Sequence, residues 1–256
     1  LRPETSQPLI TSLEQRIRLI QKAGIDILVI DTFDPAYSRQ TAEAFFKTIV
    51  LNNLKASQLY VGYNFFFGRE REGNIESLTK LCHTHRVELH VTPPFKIGND
   101  VVSSSIIRTF IRTGEVQKAA SFLGRYYGIE GGTIPGAGRG KKLGIPTANL
   151  ETKAELLPQA GVYITLTEIK GKSYPSVTNV GHAPTFSDKT PFSIETHLLD
   201  FKGELYGETL CVQFVKHLRP NQKFPSPEAL VSQINQDIAA TRDFFKKSGV
   251  SGRIQS

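Results

Sequence analysis

Residues 119–134 read AASFLGRYYGIEGGTI, and the period of the chain changes inside that stretch. From Glu115 to Phe122 the apolar residues keep helical spacing, and Gly124 is placed to end the helix. From Tyr126 onward apolar residues alternate with small or polar ones, as in a strand with one buried face. The alternation recurs downstream at Tyr127–Ile134, Gly161–Ile169, Tyr174–Val180, Phe192–Phe201 and Glu208–His217, with Gly, Pro, Asn and Asp between segments. Five or six short strands at that spacing predict a small antiparallel barrel or sandwich. A terminal amphipathic helix is expected to follow. Ser226 is its N-cap, Pro227 and Glu228 lie in the first turn, and Leu230, Ile234, Ile238 and Phe245 fall on one stripe. The tail after Lys247 is expected to fray.

Upstream of the switch, helix and strand signals take turns. Thr11 with Glu14 reads as a capping box, Leu13, Ile17 and Ile20 share a face, and Gly24 closes the helix. Ile25–Ile30 is a continuous apolar run, the signature of a buried parallel strand. Helical patterns cover Ala42 to Leu54 and Ile75 to His85, with strands expected at Leu59–Val61 and Val87–Val91. Ser104 or Ser105 is expected to cap a short helix that stops at Gly114. Strands separated by single helices predict a parallel sheet with helices on its faces. The expected division is 1–123 and 124–256.

The composition excludes several classes. The 256 residues are 39% hydrophobic and 21% charged, which is ordinary for a globular chain and wrong for collagen or a coiled coil. No apolar run reaches the ~18 residues of a membrane span, and no charged-then-apolar leader opens the sequence. Cys82 and Cys211 form no close pair, so a reducing cytoplasm is expected. The net charge of +7 suits an anionic ligand. No Lys/Arg-rich block or RNA-binding aromatic motif is present, which argues against nucleic acid. Small molecules are the expected partners, with no membrane partner, and the sequence leaves the oligomeric state open. The chain has no Met, so it is expected to begin inside a longer protein.

Three elements of the second half carry chemistry. Gly136, Gly138 and Gly140 alternate beside Arg139, Lys141 and Lys142. Such a loop either cradles phosphates with its N–H groups or is a hairpin turn with a solvated basic face. Pro146-Thr147-Ala148-Asn149 sets a hydroxyl and an amide oxygen two residues apart, on one side of an extended segment. Both are hard oxygen donors suited to Mg²⁺, or Asn149 bonds the backbone of a turn. Glu195, in Ile194-Glu195-Thr196-His197, shares a strand face with His197 and Leu199. It is a general base for a substrate hydroxyl or a surface carboxylate.

In order, GAGRGKKLGIPTANL (136–150), GVY (161–163), NVGHAPTF (179–186), IETHLLDF (194–201), LYGE (205–208) and LRPNQKF (218–224) resemble the motif series of riboflavin kinase, over essentially all of 124–245. The resemblance implies a six-stranded barrel that phosphorylates riboflavin to FMN with ATP. Thr147 and Asn149 would hold Mg²⁺ and ATP phosphate. Gly136, Gly138, Arg139, Gly140, Lys142 and Pro146 would line the nucleotide, and Glu195 would activate the ribityl 5′-hydroxyl. Asn221 departs from the family, which more often has Glu there. The first half resembles the FMN adenylyltransferase part of the bifunctional bacterial enzyme, which makes FAD. GYNFFFG (62–68) stands for its GxDFxFG, and VSSSIIR (102–108) for its ISSTxIR. Gly62, Asn64, Phe65, Gly68, Ser103, Ser104, Ser105 and Arg108 would thus meet ATP or flavin. The implied fold is nucleotidyltransferase-like, a Rossmann-like parallel sheet incomplete at its start. No HxGH occurs in these residues, so the expectation is that the parent protein adenylylates FMN and that this chain as written does not. Phe65 and Phe67 also read as plain core, and the serines as a plain N-cap. Cys82, His83 and His85 lack the second cluster a zinc site needs. Two further readings are a flavin- or nucleotide-binding module without catalysis, and a basic nucleic-acid-binding barrel.

Overall fold

The computed structural model describes residues 7–135, 144–182 and 192–249. The chain divides into two compact units. One is built from Ile20–Val102 and the other from Pro8–Leu19 with the chain from Ser103 onward.

In the first unit β1 (Gln58–Gly62) and β2 (Glu88–Thr92) pair in parallel, Leu59 opposite Leu89 and Val61 opposite Val91. The crossover between them includes α4 (Ile75–His85), as parallel pairing requires. Asn74 caps α4 in a reciprocal box with Ser77. The helix α3 (Ala42–Phe45) begins from its Thr41 cap and continues as a wider π-helical segment, Phe46–Asn53. Phe46, Val50, Val61, Phe67, Leu78, Cys82 and Val87 form the core. A one-turn α2 (Pro35–Ser38) and a two-residue ribbon of β3 (Lys96–Ile97) and β4 (Asp100–Val101) complete the unit.

Two local expectations are corrected here. Ile25–Ile30 is not a strand: it pairs with no strand among the described residues, and Ile27 is 80% exposed. An apolar run reports affinity for a core, but a strand also needs a neighbour's N–H and C=O groups. The cap of α1 (Leu13–Lys22) is Ser12, not Thr11: its Oγ accepts from Gln15 N–H, and Gln15 Oε1 accepts from Ser12 N–H.

The second unit is a closed barrel of six antiparallel strands in the order β10-β5-β6-β9-β8-β7. They are β5 (Tyr127–Ile134), β6 (Ala148–Thr152), β7 (Gly161–Ile169), β8 (Lys172–His182), β9 (Phe192–Leu198) and β10 (Thr209–Arg219). Closure leaves no open sheet edge. The interior holds Tyr127, Ile129, Leu210, Val212 and Phe214 beside a set of hydroxyls. Thr165 Oγ1 lies 2.8 Å from Ser176 Oγ and 2.7 Å from Thr178 Oγ1, and Thr178 Oγ1 lies 2.9 Å from that of Thr196. Each hydroxyl satisfies the next, which removes the cost of burying it unpaired.

Helices α5 (Ser104–Arg112) and α6 (Val116–Leu123) belong to the barrel unit, and α6 packs on β10. The cap of α5 is Ser103, one residue before the expected serines, with Oγ 3.4 Å from Ile106 N. The terminal helix α7 (Pro227–Ser248) starts at its Ser226 cap and covers the outer faces of β7, β8 and β10. Its most buried residues are Asp237, Thr241 and Phe245, while Leu230, Ile234 and Ile238 are half-buried, so the seated stripe is rotated from the apolar one. Asp237 explains the rotation: both its carboxylate oxygens accept from Arg219 at the end of β10, Nε at 3.0 and 3.1 Å and the nearer Nη at 2.8 Å. A buried carboxylate is tolerated when a guanidinium fork satisfies both its oxygens.

Candidate active site

β9 pairs with β6 on one side and with β8 on the other. Glu195 stands directly opposite Asn149 on β6 and directly opposite Asn179 on β8. Residues so placed project from the same sheet face, with Cβ atoms about 4.5–5.5 Å apart. The neighbouring row, Ala148, Thr196 and Thr178, is buried in the barrel, so Asn149, Glu195 and Asn179 face outward. All three are half-buried. The structure therefore brings Asn149 and Glu195 together across 46 residues of chain. Thr147, also half-buried, precedes Asn149 by two on the incoming segment.

The outward side of β9 holds two more polar groups. Ser193 Oγ lies 3.2 Å from Glu195 Oε1 and 3.4 Å from the carbonyl of Gly181. His197 Nδ1 lies 2.7 Å from the carbonyl oxygen of Pro146. Asn179, Ser193 and His197 were not among the expected site residues. Ser193 and His197 could have been found by parity, since they flank Glu195 at two-residue intervals. Asn179 could not, because its place depends on register.

At the end of β8, Asn221 donates from Nδ2 to the carbonyl of Val180 at 3.0 Å. A carboxylate there would have no proton to give. The departure at Asn221 thus anchors the strand that carries Asn179. The loop residues Gly136, Gly138, Arg139, Gly140 and Lys142 lie outside the described residues, as do Ala183–Phe186 of the NVGHAPTF stretch.

Thr147 and Asn149 offer neutral oxygen donors on one side of a strand end, beside a carboxylate. That donor set suits a small hard cation that keeps several waters and is shared with phosphates. Among the described residues, no cluster of three or more His, Cys, Asp or Glu side chains could hold a metal without such help.

The first-half motif residues fall in the two separate units. Gly62 ends β1, and Asn64 lies in the turn after it. Phe65 stacks on Phe67 with ring centroids 5.6 Å apart and packs against the core, as its plain reading expected. Gly68 has φ 73°, and a Cβ there would meet the Ala42 backbone at 2.5 Å. In the barrel unit Ser104 and Arg108 line a cleft of about 340 Å³ with Arg16 and Arg125. Ser103 and Ser105 are exposed. Arg108 donates from Nε to the Pro8 carbonyl at 2.8 Å. Burial lowers the pKa of Arg125, the direction expected of a desolvated cation. Arg16 and Arg125, which line this cleft, were not among the expected site residues.

Residues 123–245 match the family model for riboflavin kinase, and residues 1–106 match that for FAD synthetase. A bifunctional riboflavin kinase/FMN adenylyltransferase of Listeria monocytogenes is 31% identical over 239 residues, which cover 93% of this chain and 76% of that protein. The chain belongs to this bifunctional family. Members from Pseudomonas fluorescens and Escherichia coli K12 are 32% and 31% identical, covering 94% and 92% of this chain and 77% and 75% of theirs. A crystal structure from Streptococcus pneumoniae, described as a macrolide-efflux protein, superposes with a TM-score of 0.83 at 29% identity, covering 91% of this chain and 75% of that one. Among the described residues, no helix of this family member is long and apolar enough to cross a membrane.

Proposed function

We propose that the outward row of the barrel phosphorylates riboflavin, with Glu195 as the base and Thr147 and Asn149 as the magnesium–nucleotide grip. Family membership makes the chain an enzyme of FMN and FAD formation, with riboflavin, FMN, FAD and ATP as its substrates and products. Residues 124–256 carry the kinase reaction and residues 1–123 the adenylyltransferase part. The two free cysteines fit a reducing cytoplasm.

The observation that carries the reading is the register that sets Glu195 opposite Asn149. Phosphoryl transfer asks for a positioned donor, neutralised charge and an oriented nucleophile. Magnesium, when bound, neutralises phosphate charge, and the Thr147 hydroxyl and Asn149 amide oxygen are the groups that would hold it. Glu195 accepts the proton of the ribityl 5′-hydroxyl as that oxygen bonds to the γ-phosphorus and the bond to the β-bridging oxygen breaks, releasing ADP. Ser193, 3.2 Å from Oε1, steadies the carboxylate without neutralising it. The resemblance gives the 136–142 loop a phosphate role that none of this geometry depends on.

Glu195→Gln tests the assignment. Turnover should fall by ~10²-fold or more, while riboflavin binding, read by quenching of flavin fluorescence, stays near wild type. Near-normal turnover would remove Glu195 from the mechanism.

A further inference from the structure

We propose that His197 is a positioning residue for the kinase reaction: its imidazole holds the Pro146 carbonyl and so fixes where Thr147 and Asn149 present their oxygens. The inference rests on the assignment of those two residues to the nucleotide.

The need for such a tie follows from the sheet. β6 pairs with β9 at two positions, Ala148 with Thr196 and Asn149 with Glu195, and the pairing goes no further toward the N-terminus of β6. Continued in register, Thr147 would face His197, but no ladder pair forms there. Thr147 therefore sits just beyond the hydrogen-bonded strand, where main-chain pairing no longer sets its position. Pro146, next along, has no N–H to give to a ladder. Its carbonyl is bonded by a side chain instead, with His197 Nδ1 at 2.7 Å. A carbonyl only accepts, so the bond requires hydrogen on Nδ1, which both the neutral Nδ1–H tautomer and the imidazolium supply. One strand thus bears the base and, two residues on, the group that holds the donor segment. The spacing between the Glu195 carboxylate and the Thr147–Asn149 oxygens is set by one rigid element, which suits a reaction that depends on placement.

Three variants of the full chain separate positioning from packing. His197→Asn keeps an N–H donor one bond beyond Cγ, where Nδ1 was. His197→Gln moves the donor one bond further, and His197→Ala removes it. His197→Ala and His197→Gln should raise the KM for MgATP about tenfold, the size of one lost hydrogen bond, with the KM for riboflavin unchanged. His197→Asn should stay within about threefold of wild type by the same measure. A wild-type KM for MgATP in His197→Gln, or a His197→Asn as impaired as His197→Gln, overturns the proposal. The Asn and Gln variants decide the matter even where His197→Ala fails to fold. Glu195→Gln in the same assay keeps the two ideas apart. Full turnover there sinks the site assignment, whereas a dead Glu195→Gln beside an unaffected His197→Gln sinks only the role of His197.

Discussion

Asn149 and Glu195 are direct cross-strand partners on the outer face of the barrel, one from β6 and one from β9. This pairing gives the proposed chemistry its geometry. The proposed nucleotide grip and the proposed proton acceptor are held about one strand spacing apart, roughly 5 Å, by main-chain hydrogen bonds and not by flexible side chains.

The pairing makes Asn149→Asp informative. A carboxylate at 149 would stand directly opposite the carboxylate of Glu195 on the neighbouring strand. Like charges directly opposite one another on paired strands destabilise the pair by up to about 1 kcal/mol. Asn149→Asp should therefore lower Tm by roughly 2–4 °C, and adding Glu195→Gln to it should recover most of that loss. An unmoved Tm in Asn149→Asp would mean that the two side chains do not sense each other.

Asn221→Glu removes the donor to the Val180 carbonyl. It should cost about 1 kcal/mol, seen as a drop in Tm of roughly 2–4 °C for a domain of 150–250 residues. The KM for riboflavin should rise as the end of β8 loosens. A variant as stable as wild type would show that this bond adds nothing to the fold.

Gly131 and Gly132 are neighbours on β5 with opposite tolerances. A Cβ on Gly131 would lie 2.1 Å from the carbonyl oxygen of Glu151 on β6, whereas one on Gly132 meets nothing within 4 Å. Gly131→Ala should therefore destabilise by about 1–3 kcal/mol and disturb β6, the strand that carries Asn149. Gly132→Ala should be close to neutral. Comparing the two by chemical denaturation checks this, and equal midpoints would refute it.

Much of this architecture was legible because period and punctuation agree. The change after Gly124, the α4 helix and the strand at Gly161–Ile169 all follow from local pattern. What local pattern could not supply is partnership. Ile25–Ile30 has the composition of a buried strand and no ladder among the described residues. Strand β7 is buried along nearly its whole length: α7 covers its outward Val162, Ile164 and Leu166 while Thr165 and Thr167 point into the barrel, so the alternation of Gly161–Ile169 does not separate buried from exposed positions. At the site, the residue types of Thr147, Asn149 and Glu195 were readable, but that Glu195 meets Asn149 and Asn179 depends on register, which a sequence does not print. The burial of Asp237 in α7 makes sense only once Arg219 arrives from β10.

The two-pair contact between β6 and β9 is a short seam in an otherwise closed cylinder. Backbone amides along it should trade their protons with deuterated solvent earlier than those in the long β7–β8 and β7–β10 ladders. A nucleotide gripping one side while the vitamin engages the other would act as a stitch across the gap. Slowed deuterium uptake at 147–149 and 195–197 would then record occupancy by both substrates, even when no phosphate moves.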